Sequence, residues 1–140
     1  MGPAWSSLQK KNSVSKEGEN NMGEKVNEEQ ETFDRDDLNE ISMQVILHAG
    51  NARDQLLNIL DKLADPTIDE AVIEEDFANA KKELNEAHSK QTTMIQKEAE
   101  GEFIPYSVLF VHSQDTLMTV QSELLMTEKM IKIVRSLRDS

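Results

Sequence analysis

The chain has no cysteine among its 140 residues. That removes disulfides, thiolate zinc sites and a cysteine nucleophile together. Aromatic residues are scarce, at 4%, which argues against a large β-sandwich, whose strands favour aromatic and β-branched side chains. No apolar run approaches the ~20 residues that a membrane-spanning helix needs. The first residues lack the apolar core of a signal peptide, so a cytoplasmic protein without direct membrane insertion is expected. Positive charge is also short: 15 Lys and Arg stand against 27 Asp and Glu, a net charge of −12. This excludes nucleic acid and anionic membrane as main partners, because both require a basic face. Walker loops, Gly-x-Ser-x-Gly elbows and His-Glu-x-x-His helices are missing, and with them the enzyme classes they mark. The start, Met1-Gly2-Pro3-Ala4-Trp5-Ser6, formally fits a myristoylation pattern, but Pro3 and the looseness of that pattern favour coincidence.

What is present changes character near Phe33. Residues 1–32 hold few large apolar side chains and are crowded with Lys, Glu, Asn, Ser and Gly. Such a stretch cannot bury enough surface to offset its ordering entropy, so a disordered acidic arm is expected there. The domain proper is expected over 33–140. Through Asp37 the chain carries five basic and nine acidic residues; beyond it, ten and eighteen. The domain is therefore acidic in its own right.

Three helices are predicted. Asp36 or Asp37 is a ready N-cap for the first, since a short carboxylate accepts from free amides. From Leu38, apolar residues return at Ile41, Val45, Leu56, Ile59, Leu60 and Leu63 with a helical period. Gly50 interrupts the pattern, and a close helix contact is the expected reason. Asp65-Pro66 ends it, because proline disfavours helical geometry in the residue before it. In the second helix, about Asp69 to Ala99, Ile73, Phe77, Ala80, Leu84, Ala87, Gln91 and Met94 alternate at four and three. That is a heptad seam. Glu100-Gly101-Glu102 breaks it. The third helix follows Pro105, with Ser107 as N-cap and Arg135 and Arg138 suited to its carboxyl end. Short connections favour antiparallel neighbours. The fold class is thus all-α, an antiparallel up-down-up three-helix bundle.

The third helix is apolar on more than one side. Phe110, Leu117, Val120, Leu124, Ile131 and Val134 form one stripe. A second line, Val108, His112, Asp115, Thr119 and Ser122, is interleaved with Val111, Met118, Leu125 and Met126, so a polar row runs through an apolar side. Three helices of this length cannot bury both sides, so subunit association is expected, with the polar row in or beside the interface. Of the three histidines, His48 fits a half-buried or interface role and His88 a structural hydrogen bond. His112 differs because Asp115 lies three residues on, on the same helical face. On spacing alone, a satisfied polar pair and a reactive site both remain open.

The string from Pro105 to Thr119, with Val111-His112-Ser113-Gln114-Asp115-Thr116-Leu117-Met118-Thr119 at its centre, resembles the signature of the enzyme IIA component of lactose/chitobiose/cellobiose-type sugar phosphotransferase systems. His48-Ala49-Gly50-Asn51-Ala52-Arg53, Asp76-Phe77-Ala78-Asn79-Ala80 and Glu86-Ala87-His88-Ser89-Lys90-Gln91-Thr92 agree in order and spacing. The resemblance runs from about Leu38 to Leu137. It implies a homotrimer that accepts phosphate on His112 from the histidine phosphocarrier protein and passes it to a cysteine of the enzyme IIB partner during disaccharide uptake. It further implies that Asp115, with its symmetry mates, holds a divalent ion, Mg2+, at the threefold axis. The chemistry is coherent. An ordinary imidazole titrates near ~6.5 and is largely neutral and nucleophilic at cellular pH. Converging carboxylates repel one another unless protonated or neutralised, and oxygen ligands suit magnesium. Three features depart from the family pattern: Thr116 stands where a second histidine is common, Asn51 where an aspartate is frequent, and the connector Leu63–Glu75 looks several residues longer than the usual short turn, with an added helical turn expected near Ile68–Ile73. The Thr116 departure keeps open an alternative, a non-catalytic trimeric adaptor or regulator.

Overall fold

The computed structural model describes residues 33–140; the arm expected over 1–32 lies outside the described residues. Helix α1 spans Arg35–Leu63, α2 Glu70–Ala99 and α3 Val108–Arg138. Each starts on a polar cap. Asp34 accepts from the amide of Asp36, Asp69 from Ala71 and Ser107 from Phe110. The expectation of Asp36 or Asp37 as the first cap is corrected to Asp34. Those two carboxylates fall instead in the first turn of α1, where negative charge suits the free amides of the helix start.

One further expectation is corrected. Helix α1 runs unbroken through Gly50, and a Cβ placed there would meet nothing within 4 Å. Among the described residues no close helix contact explains that glycine. The link between α1 and α2 covers residues 64–69. Ile73 belongs to the start of α2, so the turn expected near Ile68–Ile73 is largely that helix's own. Within the link, the Asp65 side chain accepts from the Thr67 amide at 2.9 Å and from the Thr67 hydroxyl at 2.8 Å. The other break is built as the sequence suggests. Gly101 has φ +97°, and the amides of Gly101 and Glu102 return to the carbonyls of Glu98 and Lys97. This is a Schellman ending, which places its glycine in the left-handed region that side chains avoid.

Cross-helix pairs record how the helices lie. Along α1 and α2 the partners run in opposite order, His48 with Glu83 and then Lys62 with Asp76. Along α1 and α3 they run in the same order: Asn39 with Ser107, Arg53 with Glu123, and the α1 end at Leu63 with Arg138. Helix α1 packs against both others, which touch each other far less. It therefore carries the centre of the core through Leu38, Val45, Ala49, Ala52, Leu56 and Ile59, all nearly inaccessible. Small side chains at 49 and 52 let it serve two neighbours. On α2 the seam is buried as predicted, Phe77 being only partly covered. On α3, Leu117, Val120 and Ile131 complete the core. Each large aliphatic side chain buried here contributes about 1.5–3 kcal/mol of transfer free energy. No helix among the described residues is long and apolar enough to cross a membrane.

Candidate functional site

Ser107 sets the position of α3. It is buried; its hydroxyl accepts from the Phe110 amide and donates to Asn39 Oδ1 at 2.6 Å. The first turn of α3 is thereby tied to the first turns of α1. From this anchor the helical period turns Ser113, Leu117 and Val120 inward, all at 1% exposure or less. The same period turns His112, Asp115 and Thr119 outward, and all three are exposed. His112 and Asp115 are separated by about 4.5 Å along the helix axis and open onto the same solvent-facing side.

The hydroxyls of this side are committed to the helix itself. Thr116 Oγ1 donates to the His112 carbonyl at 2.9 Å, and Thr119 Oγ1 to the Asp115 carbonyl at 2.7 Å. Thr116 therefore uses its hydroxyl on the backbone of His112. Around the polar row the surface is apolar: Val108, Met118, Leu125, Met126, Ile133 and Leu137 are all more than half exposed. So many large apolar side chains exposed along one helix are unusual on a surface that stays in water and mark an interaction site.

The other two histidines are placed elsewhere. His48 Nδ1 lies 2.6 Å from Glu83 Oε2, and both side chains are partly covered. His88 Nδ1 lies 3.0 Å from Gln121 Nε2. Gln121 is nine residues beyond His112, about 13 Å along α3, so His88 does not join the His112 site. Local reading missed the pairing of Arg53 with Glu123, at 3.0 and 3.2 Å, because its two halves sit 70 positions apart. It also missed an open groove of about 330 Å3 next to His112, lined by Phe103 to Ser107, Phe110, Val111 and Gln114, with Glu98 at its edge. The aromatic residues around Pro105 were the available signal.

As for metal binding, one chain supplies Asp115 alone on the outer face. Among the described residues no group of three or more His, Cys, Asp or Glu could hold an ion. The donor type fits magnesium, but a complete ligand set requires the same carboxylate from further copies.

The class defined by these features is an all-helical protein that presents an imidazole and a carboxylate from an otherwise apolar outer face. Residues 40–135 match the family model for the lactose/cellobiose-specific IIA subunit of the phosphotransferase system, and the chain belongs to that family. Over 87 residues it is 36% identical to the lactose-specific EIIA component of Staphylococcus epidermidis, covering 62% of this chain and 82% of that protein. It is 35% identical over 97 residues to the oligo-beta-mannoside-specific EIIA component of Bacillus subtilis, covering 69% and 86%. The crystal structure of the cellobiose-specific enzyme IIA of Bacillus anthracis superposes with a TM-score of 0.66 at 35% identity, covering 72% of this chain and 91% of that one. The chain is thus a component of a sugar phosphotransferase system. The three relatives carry three different sugar names.

Proposed function

We propose that this chain is the phosphocarrier of its system, with His112 as the residue that carries phosphate. The observation that supports it most is the outward placement of His112, with Asp115 one turn on, in an apolar face that another protein can cover. The donor is the histidine phosphocarrier protein and the acceptor a cysteine of an enzyme IIB partner. In the first step the lone pair of the neutral His112 imidazole attacks phosphorus and the donor's P–N bond breaks. The proton lost from the other ring nitrogen of His112 balances the one the departing donor imidazole takes up. In the second step the acceptor thiolate attacks phosphorus, the P–N bond to His112 breaks, and the ring regains its proton. Position and charge neutralisation dominate such transfers, which suits a rigid helix bearing an accessible ring.

The apolar outer stripe of α3 supports assembly as a trimer of up-down-up bundles, a closed arrangement that brings one face of every copy to a common axis. Three copies of Asp115 would hold the magnesium ion, which supplies the positive charge that lets like carboxylates approach. Disaccharide uptake of the lactose, cellobiose or chitobiose type is the pathway, and the cytoplasm the compartment.

Incubation with purified donor components and intact-mass detection tests the carrier role. One phosphate per chain is expected, acid-labile and alkali-stable. His112→Ala should abolish it, while His48→Ala and His88→Ala retain it at least in part. Undiminished labelling of His112→Ala would overturn the assignment. The bond from Thr116 to the helix backbone favours a second reading, a trimeric adaptor without transfer. Under that reading the wild type stays unlabelled although it assembles.

A further inference from the structure

The groove at the start of α3 is apolar but uncovered. Phe103 is 54% exposed and Tyr106 75%, and Val111, which lines it, directly precedes His112. Its one charged lining residue among those described is acidic, Glu98. Glu100 and Glu102 flank the Gly101 turn beside it, and Lys97, 3.7 Å from Glu102, offsets one of these three charges, so the surroundings stay net negative. An occupant that suits this site is apolar and carries positive charge.

The chain supplies such a segment. Its first 16 residues contain Lys10, Lys11 and Lys16 and no acid, whereas residues 17–32 hold six glutamates and one lysine. Trp5 and Leu8 are large apolar side chains immediately before Lys10-Lys11. The arm also starts in the right place. The Phe33 ring lies 5.2 Å from Lys97 Nζ, one residue from the groove's Glu98. The 21 residues 12–32 can extend up to about 70 Å, so they are long enough to return the segment to a groove beside their own root.

We propose that the segment Trp5–Lys11 seats in this groove, its apolar side chains against Phe103 and Tyr106 and its lysines against the glutamate rim. Seated there, it covers ground beside His112 that a phosphate donor must reach, so it acts as a tethered competitor. The competition rests on the phosphocarrier reading; the docking does not.

Trp5 is the sole tryptophan, so the intrinsic fluorescence of the full chain reports the segment directly. A tether gives an effective concentration of the order of millimolar, so even a weak site should be about half filled and acrylamide quenching roughly twofold weaker than in urea. Emission should lie at shorter wavelength than in urea. The paired substitution Phe103→Ser with Tyr106→Ser should restore the quenching of the unfolded chain with the circular dichroism unchanged, because both side chains are exposed. Lys10→Glu with Lys11→Glu leaves the folded domain untouched and should do the same. Quenching already equal to that in urea overturns the proposal. So does protection that ignores both pairs of substitutions, which places the segment elsewhere, or protection lost on dilution, which places it on a second copy. If docking holds, either pair should speed labelling by the donor. If His112 proves not to carry phosphate, the fluorescence result still stands on its own.

Discussion

Helices α2 and α3 are nearly equal in length, 30 and 31 residues, and both lie against α1, yet their outer faces differ in kind. Away from the seam, α2 shows water mainly charged and amide groups such as Glu75, Asn79, Lys82, Asn85 and Glu86, all exposed. Away from Leu117 and Val120, α3 shows water Val108, Met118, Leu125, Met126, Ile133 and Leu137. Helix α2 is satisfied by its own chain. Helix α3 has a second apolar side that the described residues leave open, and the two polar side chains of chemical interest stand in it.

The comparison can be broken on the inner side first, where the largest effect is expected. Leu117 is fully buried, so Leu117→Ala should cost about 2–5 kcal/mol, the transfer term plus the cavity left behind. Urea unfolding checks this, with a lower midpoint at unchanged slope as the expected result. On the outer side, Leu125→Ser should change chain stability by no more than about 0.5 kcal/mol but weaken assembly, read by sedimentation across concentration. Asp115→Asn sharpens the same point: wild-type assembly should loosen in EDTA, while the variant, relieved of converging charges, should ignore the chelator. Outer-face variants that lower the unfolding midpoint as much as Leu117→Ala would erase the distinction.

The smallest effect lies at the link between α1 and α2. The Thr67 amide and then its hydroxyl, with a lesser contribution from Arg138, hold the Asp65 carboxyl below the usual carboxylate range. A depressed acid stabilises the fold above its unfolded pKa, and that contribution fades as pH falls through the lower, folded one. Thr67→Ala should move the Asp65 titration, followed by NMR, back toward the ordinary range. It should make acid loosening of this link begin at slightly higher pH.

The seam of α2 was legible because a four-three alternation is a one-dimensional signal. Ile73, Ala80, Leu84, Ala87, Gln91 and Met94 are buried where the spacing puts them. The outward setting of His112 and Asp115 was legible for the same reason, as was the cap at Ser107. The family could be read from the ordered blocks around His48, His88 and His112. Less local features could not be read. Asp34, Asp36 and Asp37 are chemically alike as caps, and only the fold decides among them. The groove beside His112 joins Glu98 to residues beyond the Gly101 turn, and Arg53 finds Glu123 from another helix. Neither follows from periodicity. Gly50 misled because a glycine within a helix invites a packing explanation, and none of the described residues comes close enough to supply it.

The Arg138 guanidinium donates to the carbonyls of Leu63, at 2.9 Å, and Asp65, at 3.1 Å, partners 75 and 73 positions earlier. The Leu63 oxygen belongs to the end of the first helix, where carbonyls lack partners of their own helix, and the Asp65 oxygen to the link just beyond it. During synthesis, the first helix therefore leaves the ribosome well before the side chain that closes its end has been made. Until residues 108–138 have been made, the growing chain holds a first helix whose apolar flank has no third helix against it, and the last tie between them waits for a side chain 75 residues later.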